Sequence, residues 1–182
     1  MTKVRCTWAN SHPLLIAYHD KEWGVPVHED RHLFEMLNLE GAQAGLSWLT
    51  ILKKRAGYRK AFSNFSAEAI RKYTASKRAL LLTDENIVRN RLKIAAVVEN
   101  ANAFLQVRRE AGSFDQFIWQ FVDGKSLPRA KRKSALAISV LMSKELKKRG
   151  FKFVGPTICF AFMQAVGILN DHAPNCFRAK ML

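Results

Sequence analysis

Apolar residues in this chain recur at three- and four-residue intervals almost throughout, and few segments alternate with period two. That periodicity constrains the fold more than any other feature. A repeat near 3.6 collects apolar side chains on one helix face, whereas a half-buried strand needs strict alternation. "DRHLFEMLNLE" opens with Asp30, a good N-cap, and Ser66 can cap "AEAIRKYTASKRALL". "KIAAVVENANAFLQVRRE" reads as a long amphipathic helix ending before Gly112, and Ser113 with Gln116 has capping-box spacing ahead of "FDQFIWQFV". "SALAISVLMSKELKKRG" ends in basic residues and Gly150. Gly155-Pro156 opens "TICFAFMQAVG", which is apolar on nearly all sides and reads as the central core helix. With at least six such segments, no strand pattern, no repeat and no linker, residues 1–182 read as one all-α domain. Residues 123–134, "DGKSLPRAKRKS", lack apolar periodicity and read as a basic surface loop, either solvated or in contact with phosphate.

One residue breaks the pattern. In "LEGAQAGLSW", Glu40 falls on the stripe Leu33, Leu37, Glu40, Ala44, Trp48, Ile51, where an apolar residue is due. A buried acid is costly unless something pairs with it. Gly41 and Gly45 leave open whether residues 31–55 form one helix or two.

Charge narrows the partner. Thirty Lys and Arg stand against 15 Asp and Glu, a formal net charge of +15 on 182 residues. Such a balance favours a polyanion: DNA, RNA or an acidic membrane. No stretch is long and apolar enough to span a bilayer, and "MTKVRCTWANSHPLLIAYHDK" has no continuous signal-peptide core. Three dispersed cysteines are too few for a disulfide framework, so a reducing cytoplasm is expected.

Three constellations can carry chemistry. His172 and Cys176 in "HAPNC" are four apart and can share a face. Cys6 and His19 would complete a Cys₂His₂ set typical of structural zinc. Equally, Cys6 can be a small buried hydrophobe and His19 a surface histidine, and His12, His28 and His32 are as available by composition. The segment 83–93, "TDENIVRNRLK", joins two helical patterns: Asn86 tolerates a left-handed turn, Ile87 and Val88 can tuck beneath, and Arg89, Arg91 and Lys93 follow. It reads as the hairpin of a helix-hairpin-helix at about 76–109, offering amides and cations to a DNA backbone, or as an ordinary helix connection. The third set is Trp8, Tyr18, Trp23, Glu40 and Trp48, with Gln43 one turn after Glu40. Each alone suits a core, but together an acid, an amide and flat walls suit a flipped-out base.

The blocks "AYHDKEWGVP" (17–26), "LFEMLNLEGAQAGLSWLTILKKR" (33–55), "IVRNRLKI" (87–94), "KKRGFKFVGPTICFAFMQAVG" (147–167) and "NDH" followed by Cys176 closely resemble the bacterial 3-methyladenine DNA glycosylase I family. The resemblance spans nearly the whole chain. It implies a helix-hairpin-helix superfamily fold that bends DNA and extrudes the damaged nucleotide. It implies one structural zinc tying the termini through Cys6, His19, His172 and Cys176. It places the pocket acid at Glu40, the stacking tryptophan at Trp48, and further pocket aromatics at Tyr18, Trp23 and Trp8. Departures are Leu15, where some members carry tyrosine, Ala42 before Gln43, where some carry two glutamines, and "AKRKSALAISVLM", where relatives have a more polar run.

The implied reaction is hydrolysis of the N-glycosidic bond of 3-methyladenine in double-stranded DNA, with the free base as product ligand. N3 methylation makes the base a cation, so its departure needs less help than a two-carboxylate glycosidase gives. The family is understood to lack the superfamily's catalytic Asp, and neither Asp115 nor Asp123 falls in a matching block. Glu40 is expected to accept from the base's N6 amino group, with Tyr18 adding a polar contact and Trp48 stacking. In the empty protein, water or Tyr18 should hold the acid. The expected protein is a cytoplasmic, nucleoid-associated bacterial monomer with no membrane role. Rivals are a non-catalytic helix-hairpin-helix DNA-binding protein, which has no need of Glu40, and a zinc-dependent hydrolase, which needs an open metal position.

Overall fold

The structure is a computed structural model, and it describes residues 3–179. Those residues form the helices α1 (Pro13–Lys21), α2 (Asp30–Gln43), α3 (Trp48–Ala61), α4 (Ala67–Ile70), α5 (Ala75–Leu81), α6 (Arg91–Ala111), α7 (Phe114–Trp119), α8 (Arg132–Lys148) and α9 (Pro156–Ala165). Sheet among the described residues is one two-residue parallel pairing, Leu127–Pro128 (β1) with Leu169–Asn170 (β2). The fold is therefore mostly helical, and no described helix is long and apolar enough to cross a membrane.

Residues 31–55 form two helices. Gly45, at φ +77°, turns the chain in the left-handed region, and Ser47 then caps α3 by accepting from Thr50 N at 3.1 Å. The single stripe from Leu33 to Ile51 is thus split, and α2 instead is buried without a break from Leu33 to Ala42. It packs against α3, α6, α7 and α9. The core centres on α2 as much as on α9, whose Cys159, Phe162 and Met163 are fully enclosed. Gly41 serves packing: a Cβ there would lie 3.0 Å from Cβ of Phe153.

Caps also differ from expectation. Glu29, not Asp30, caps α2, accepting from Arg31 N and His32 N at 3.0 and 2.6 Å. Asp30 caps a helix distant in sequence, accepting from Phe114 N and Asp115 N at 3.1 and 2.8 Å. The local rule identified a capping side chain but could not say which helix it caps. Ser66 caps only the short α4, and Thr74 starts α5 anew. Residues 123–134 are less of a free loop than expected, because β1, a 3₁₀ turn at Arg129–Lys131 and the start of α8 lie within them.

The connection between α5 and α6 is built without a left-handed Asn86. Asp84 Oδ1 accepts from both the backbone N and Nδ2 of Asn86, at 2.9 Å each, which closes the turn instead. Ile87 is buried and Val88 packs against the core. This connection is also locked to α3. Val88 N donates to Tyr58 Oη at 3.3 Å, and Gly57 lets the backbone of Asn86 approach where a Cβ would meet its oxygen at 2.3 Å.

Candidate active site and metal centre

The sharp turn after α2 brings Trp48, first residue of α3, back toward Glu40 and Gln43 at the end of α2. Helix α1 contributes Tyr18, whose ring centroid is 5.2 Å from that of Trp48. Trp8, from a 3₁₀ turn at Thr7–Ser11, and Trp23, just after α1, meet edge to face at 5.0 Å. All six residues named from the sequence line one cavity of about 440 Å³, within the usual range for small-molecule sites. Leu15 is buried elsewhere and does not line it. Asp115, bonded to His28 Nδ1 at 2.8 Å, and Asp123, in a left-handed turn, lie outside it too.

Glu40 is 4% exposed and has no hydrogen-bond partner among the described residues. Burial alone pushes its carboxyl up to about 8. Of the two holders expected, Tyr18 is not one: the phenol oxygen is buried and unpartnered, as is the indole Nε1 of Trp48. Burial, then the Glu40 and Glu22 charges, keep the Tyr18 phenol well above its ordinary range.

Behind the two tryptophans lies the cysteine–histidine cluster. Cys6, His19, His172 and Cys176 are all buried, with one potential ligand atom from each within 4.8 Å of the others. Sulfur–nitrogen separations are 3.4 Å (Cys176 to His19 Nε2), 3.5 Å (Cys176 to His172 Nδ1) and 3.7 Å (Cys6 to His172 Nδ1). Tetrahedral ligands at ordinary zinc bond lengths sit about 3.6 Å apart, so the four atoms fit one ion. The outward nitrogens are spoken for: His19 Nδ1 meets Asp20 at 2.9 Å, and His172 Nε2 meets the Trp23 carbonyl at 3.1 Å. Those bonds leave His19 Nε2 and His172 Nδ1 facing the cluster, as metal-ligating histidines require. Arg5 in turn grips Asp20. His12, His28 and His32 lie outside the cluster. His19 and His172 also pack against Trp8 and Trp23, at 5.5 and 4.6 Å between centroids, so the cluster braces the pocket wall.

The cations beyond the pocket divide. Arg89 and Arg91 are exposed, Arg89 being loosely paired to Glu85 at 3.5 Å. Lys93, grouped with them from the sequence, is tied inward: its ammonium donates to the Ala42 and Ala44 carbonyls at 2.7 Å each and so stitches α6 to the end of α2. Sequence reasoning missed Arg129, Arg132, Gln164 and Asp171, which also line the cavity. Asp171 stands in "NDH", but nothing local marks it as a partner of arginines some forty residues earlier.

Fold and pocket define a class: a helical protein whose cavity sets aromatic rings around a buried acid without a hydrogen-bond partner among the described residues. Comparison with known proteins narrows it. The profile described as methyladenine glycosylase matches residues 8–179. DNA-3-methyladenine glycosylase 1 of Escherichia coli K12 is 46% identical over 179 residues, covering 94% of this chain and 95% of its own. DNA-3-methyladenine glycosylase of Haemophilus influenzae is 43% identical over 178 residues, covering 95% and 96%. A tyrosine-to-phenylalanine variant of a 3-methyladenine DNA glycosylase I, solved in complex with 3-methyladenine, superposes with a TM-score of 0.89 at 38% identity, covering 95% and 96%. The chain belongs to the methyladenine glycosylase family.

Proposed function

We infer that this chain is a monofunctional DNA N-glycosylase of base excision repair, which takes 3-methyladenine from alkylated duplex DNA and leaves an abasic site. The observation that carries this reading is the pocket's unsatisfied chemistry: an acid perturbed by burial alone, beside a phenol and an indole N–H with no partners. Buried polar groups in native proteins are nearly always bonded, so three unspent ones on a single cavity suit a ligand with its own polar edge.

The chemistry follows from the charge of the lesion. An N3-methylated adenine in DNA is a cation, and it leaves as a neutral base. Glu40, as the carboxylate, accepts from its N6 amino group, and Tyr18 adds a second polar contact. Trp48 stacks on the ring with about 0.5–2 kcal/mol of cation–π attraction. Normal adenine is neutral and forfeits both charge terms. Since Glu40 in the empty pocket titrates near 8, binding the cation draws the proton off the acid. Asp115 and Asp123, outside the cavity, take no part.

Cys6, His19, His172 and Cys176 hold one structural zinc per chain. Four protein ligands leave no open position, so the ion fastens the termini behind Trp8 and Trp23 and does no chemistry on the base. One zinc per chain by elemental analysis, with metal and melting temperature both lost in Cys176→Ser, is the expected result. Full stability without metal would refute it. Residues of about 76–109 act as a helix-hairpin-helix that takes the DNA backbone through Arg89, Arg91 and the hairpin amides. The protein acts as a monomer on duplex DNA in the bacterial cytoplasm, at the nucleoid, and retains free 3-methyladenine as a product ligand.

The decisive experiment is release of 3-methyladenine from methylated duplex DNA, with and without chelator. Release by the wild type, strongly reduced in Glu40→Gln with duplex binding retained, is expected. A wild type that binds DNA but frees no base would leave only a DNA-binding module.

A further inference from the structure

The rim of the pocket carries an arrangement that the base does not need. Asp171 is almost fully enclosed, its side chain 3% exposed, and three residues converge on it. Gln164 Nε2 donates at 2.6 Å, Arg129 Nη1 donates to Oδ1 at 2.9 Å and to the Asp171 carbonyl at 2.5 Å, and Arg132 pairs with Oδ2. Arg132 also lies 4.8 Å from the Phe160 ring centroid. Two guanidinium charges thus share one carboxylate, and the group keeps a net positive charge.

Both arginines line the cavity and are nearly half exposed, at 46% and 45% of the side chain. Arg129 reaches the buried acid through Nη1, and Arg132 pairs with it through its own Nη1. The remaining guanidinium N–H groups have no hydrogen-bond partner among the described residues. Arg5, the other cavity-lining arginine, differs: its Nε and Nη2 are both committed to Asp20. A guanidinium fixed on one side and open on the other is a ready receptor for a tetrahedral anion, and Arg is the side chain best matched to phosphate oxygens.

We propose that Arg129 and Arg132, fixed by Asp171 and Gln164, form a phosphate clamp on the pocket rim that takes the phosphodiester next to the extruded nucleotide. The proposal rests on the reading of the cavity as the pocket for an extruded base. A nucleotide whose base lies against Glu40 and Trp48 must carry its phosphates out past the rim, and the rim is where these donors stand. The clamp fixes how deeply the base sits. It therefore acts on DNA and not on the free base, unlike the aromatic walls. It also differs from Arg89 and Arg91, which do not line this cavity and would hold the duplex whether or not a base is extruded.

The test compares Arg132→Gln and Arg129→Gln with Lys133→Gln, an exposed neighbour on α8 outside the cavity. Each is assayed on duplex DNA carrying a single 3-methyladenine, and on free 3-methyladenine. Loss of one charge-assisted contact should raise KM on DNA about tenfold and flatten the dependence of log affinity on log salt by about 0.9. Affinity for the free base and melting temperature should stay near wild type for Arg132→Gln, and Lys133→Gln should resemble wild type throughout. An arm that needs no variant uses a methylphosphonate beside the lesion. It should weaken wild type about tenfold and Arg132→Gln far less, since the contact is already gone. A fall in free-base affinity and melting temperature together, or a wild type indifferent to the methylphosphonate on either side of the lesion, overturns the clamp. Either outcome leaves base release by the wild type, and hence the proposed function, standing. A wild type that releases no base fails that function first.

Discussion

Helix α2 carries two buried glutamates five residues apart, and they have opposite fates. Glu35 is 8% exposed and Glu40 4%, so burial presses on both. Glu35 is met by Arg55 Nε at 2.7 Å and Arg59 Nε at 2.9 Å, and Arg55 reaches on to Glu22 at 2.6 Å. Burial would raise the Glu35 carboxyl, but hydrogen bonds from Arg59 and Arg55 outweigh it and hold the group below its ordinary value. Glu40 has no such partner and stands near 8. The same residue type on the same helix is a structural clamp in one place and an unspent functional group in the other. Burial does not distinguish them; the presence of a cation does.

The comparison breaks most sharply through stability. Glu35→Ala strips a buried partner from Arg55 and Arg59 and should destabilise by about 3–5 kcal/mol. Glu40→Gln should not destabilise at all at neutral pH. Parallel thermal melts decide this, and similar losses in both would erase the distinction.

Activity should show the reverse order. Glu40→Gln exchanges a charged acceptor for a neutral amide, a loss of about 1.5–3 kcal/mol, so base release should fall roughly 10- to 100-fold. Any residual activity of a folded Glu35 variant should be nearer wild type. Single-turnover release on methylated duplex measures both.

The pH slopes should have opposite signs. Glu40, raised in the fold, is neutral there below about 8, whereas the unfolded chain releases that proton near the ordinary glutamate value. Its stability contribution is fully present below that ordinary value and is lost as pH rises to about 8. The melting-temperature advantage of Glu40→Gln should therefore grow over that window and level off above it. Glu35, lowered in the fold, contributes above the ordinary value and loses it as pH falls through its folded one. The free-enzyme ionisation also bears on catalysis: kcat/KM for the cationic lesion should rise with pH and flatten above about 8, and Glu40→Gln should remove that rise. A flat wild-type profile would contradict the proton release.

The smallest effect concerns the pocket's second polar group. Tyr18→Phe removes an unpartnered buried hydroxyl, so the melting temperature should hold or rise slightly. Base release should fall about 2- to 10-fold, for one neutral hydrogen bond of about 0.5–1.5 kcal/mol. A drop in melting temperature with unchanged release would make Tyr18 a core residue.

The anomaly at Glu40 was legible because an acid interrupting an apolar period is a local fact. Glu35 was not, since nothing in "DRHLFEMLNLE" says that Arg55 and Arg59 of α3 fold back onto it. Lys93 shows the same limit. In the chain it is one more cation after the hairpin, and only the packing of α6 on α2 gives it the Ala42 and Ala44 carbonyls. Arg129 and Arg132 stood in a basic run that the chain left as either solvated or in contact with phosphate, and only the pairing of β1 with β2 brought them to Asp171.

By itself the sequence determined the helical class, the bounds of some helices such as the end of α6 and the starts of α7 and α9, the excess of positive charge, the acid out of place at Glu40 and, by resemblance, the family. These rest on local spacing, on composition and on long blocks of residues, none of which needs a partner across space. Tertiary structure alone decided which buried acid is paired, which cations are free, and which ring nitrogens of His19 and His172 turn inward to the cysteines. Pairing and ligation depend on side-chain atoms a few ångströms apart from segments that are distant in the chain, and only the packed helices set those distances.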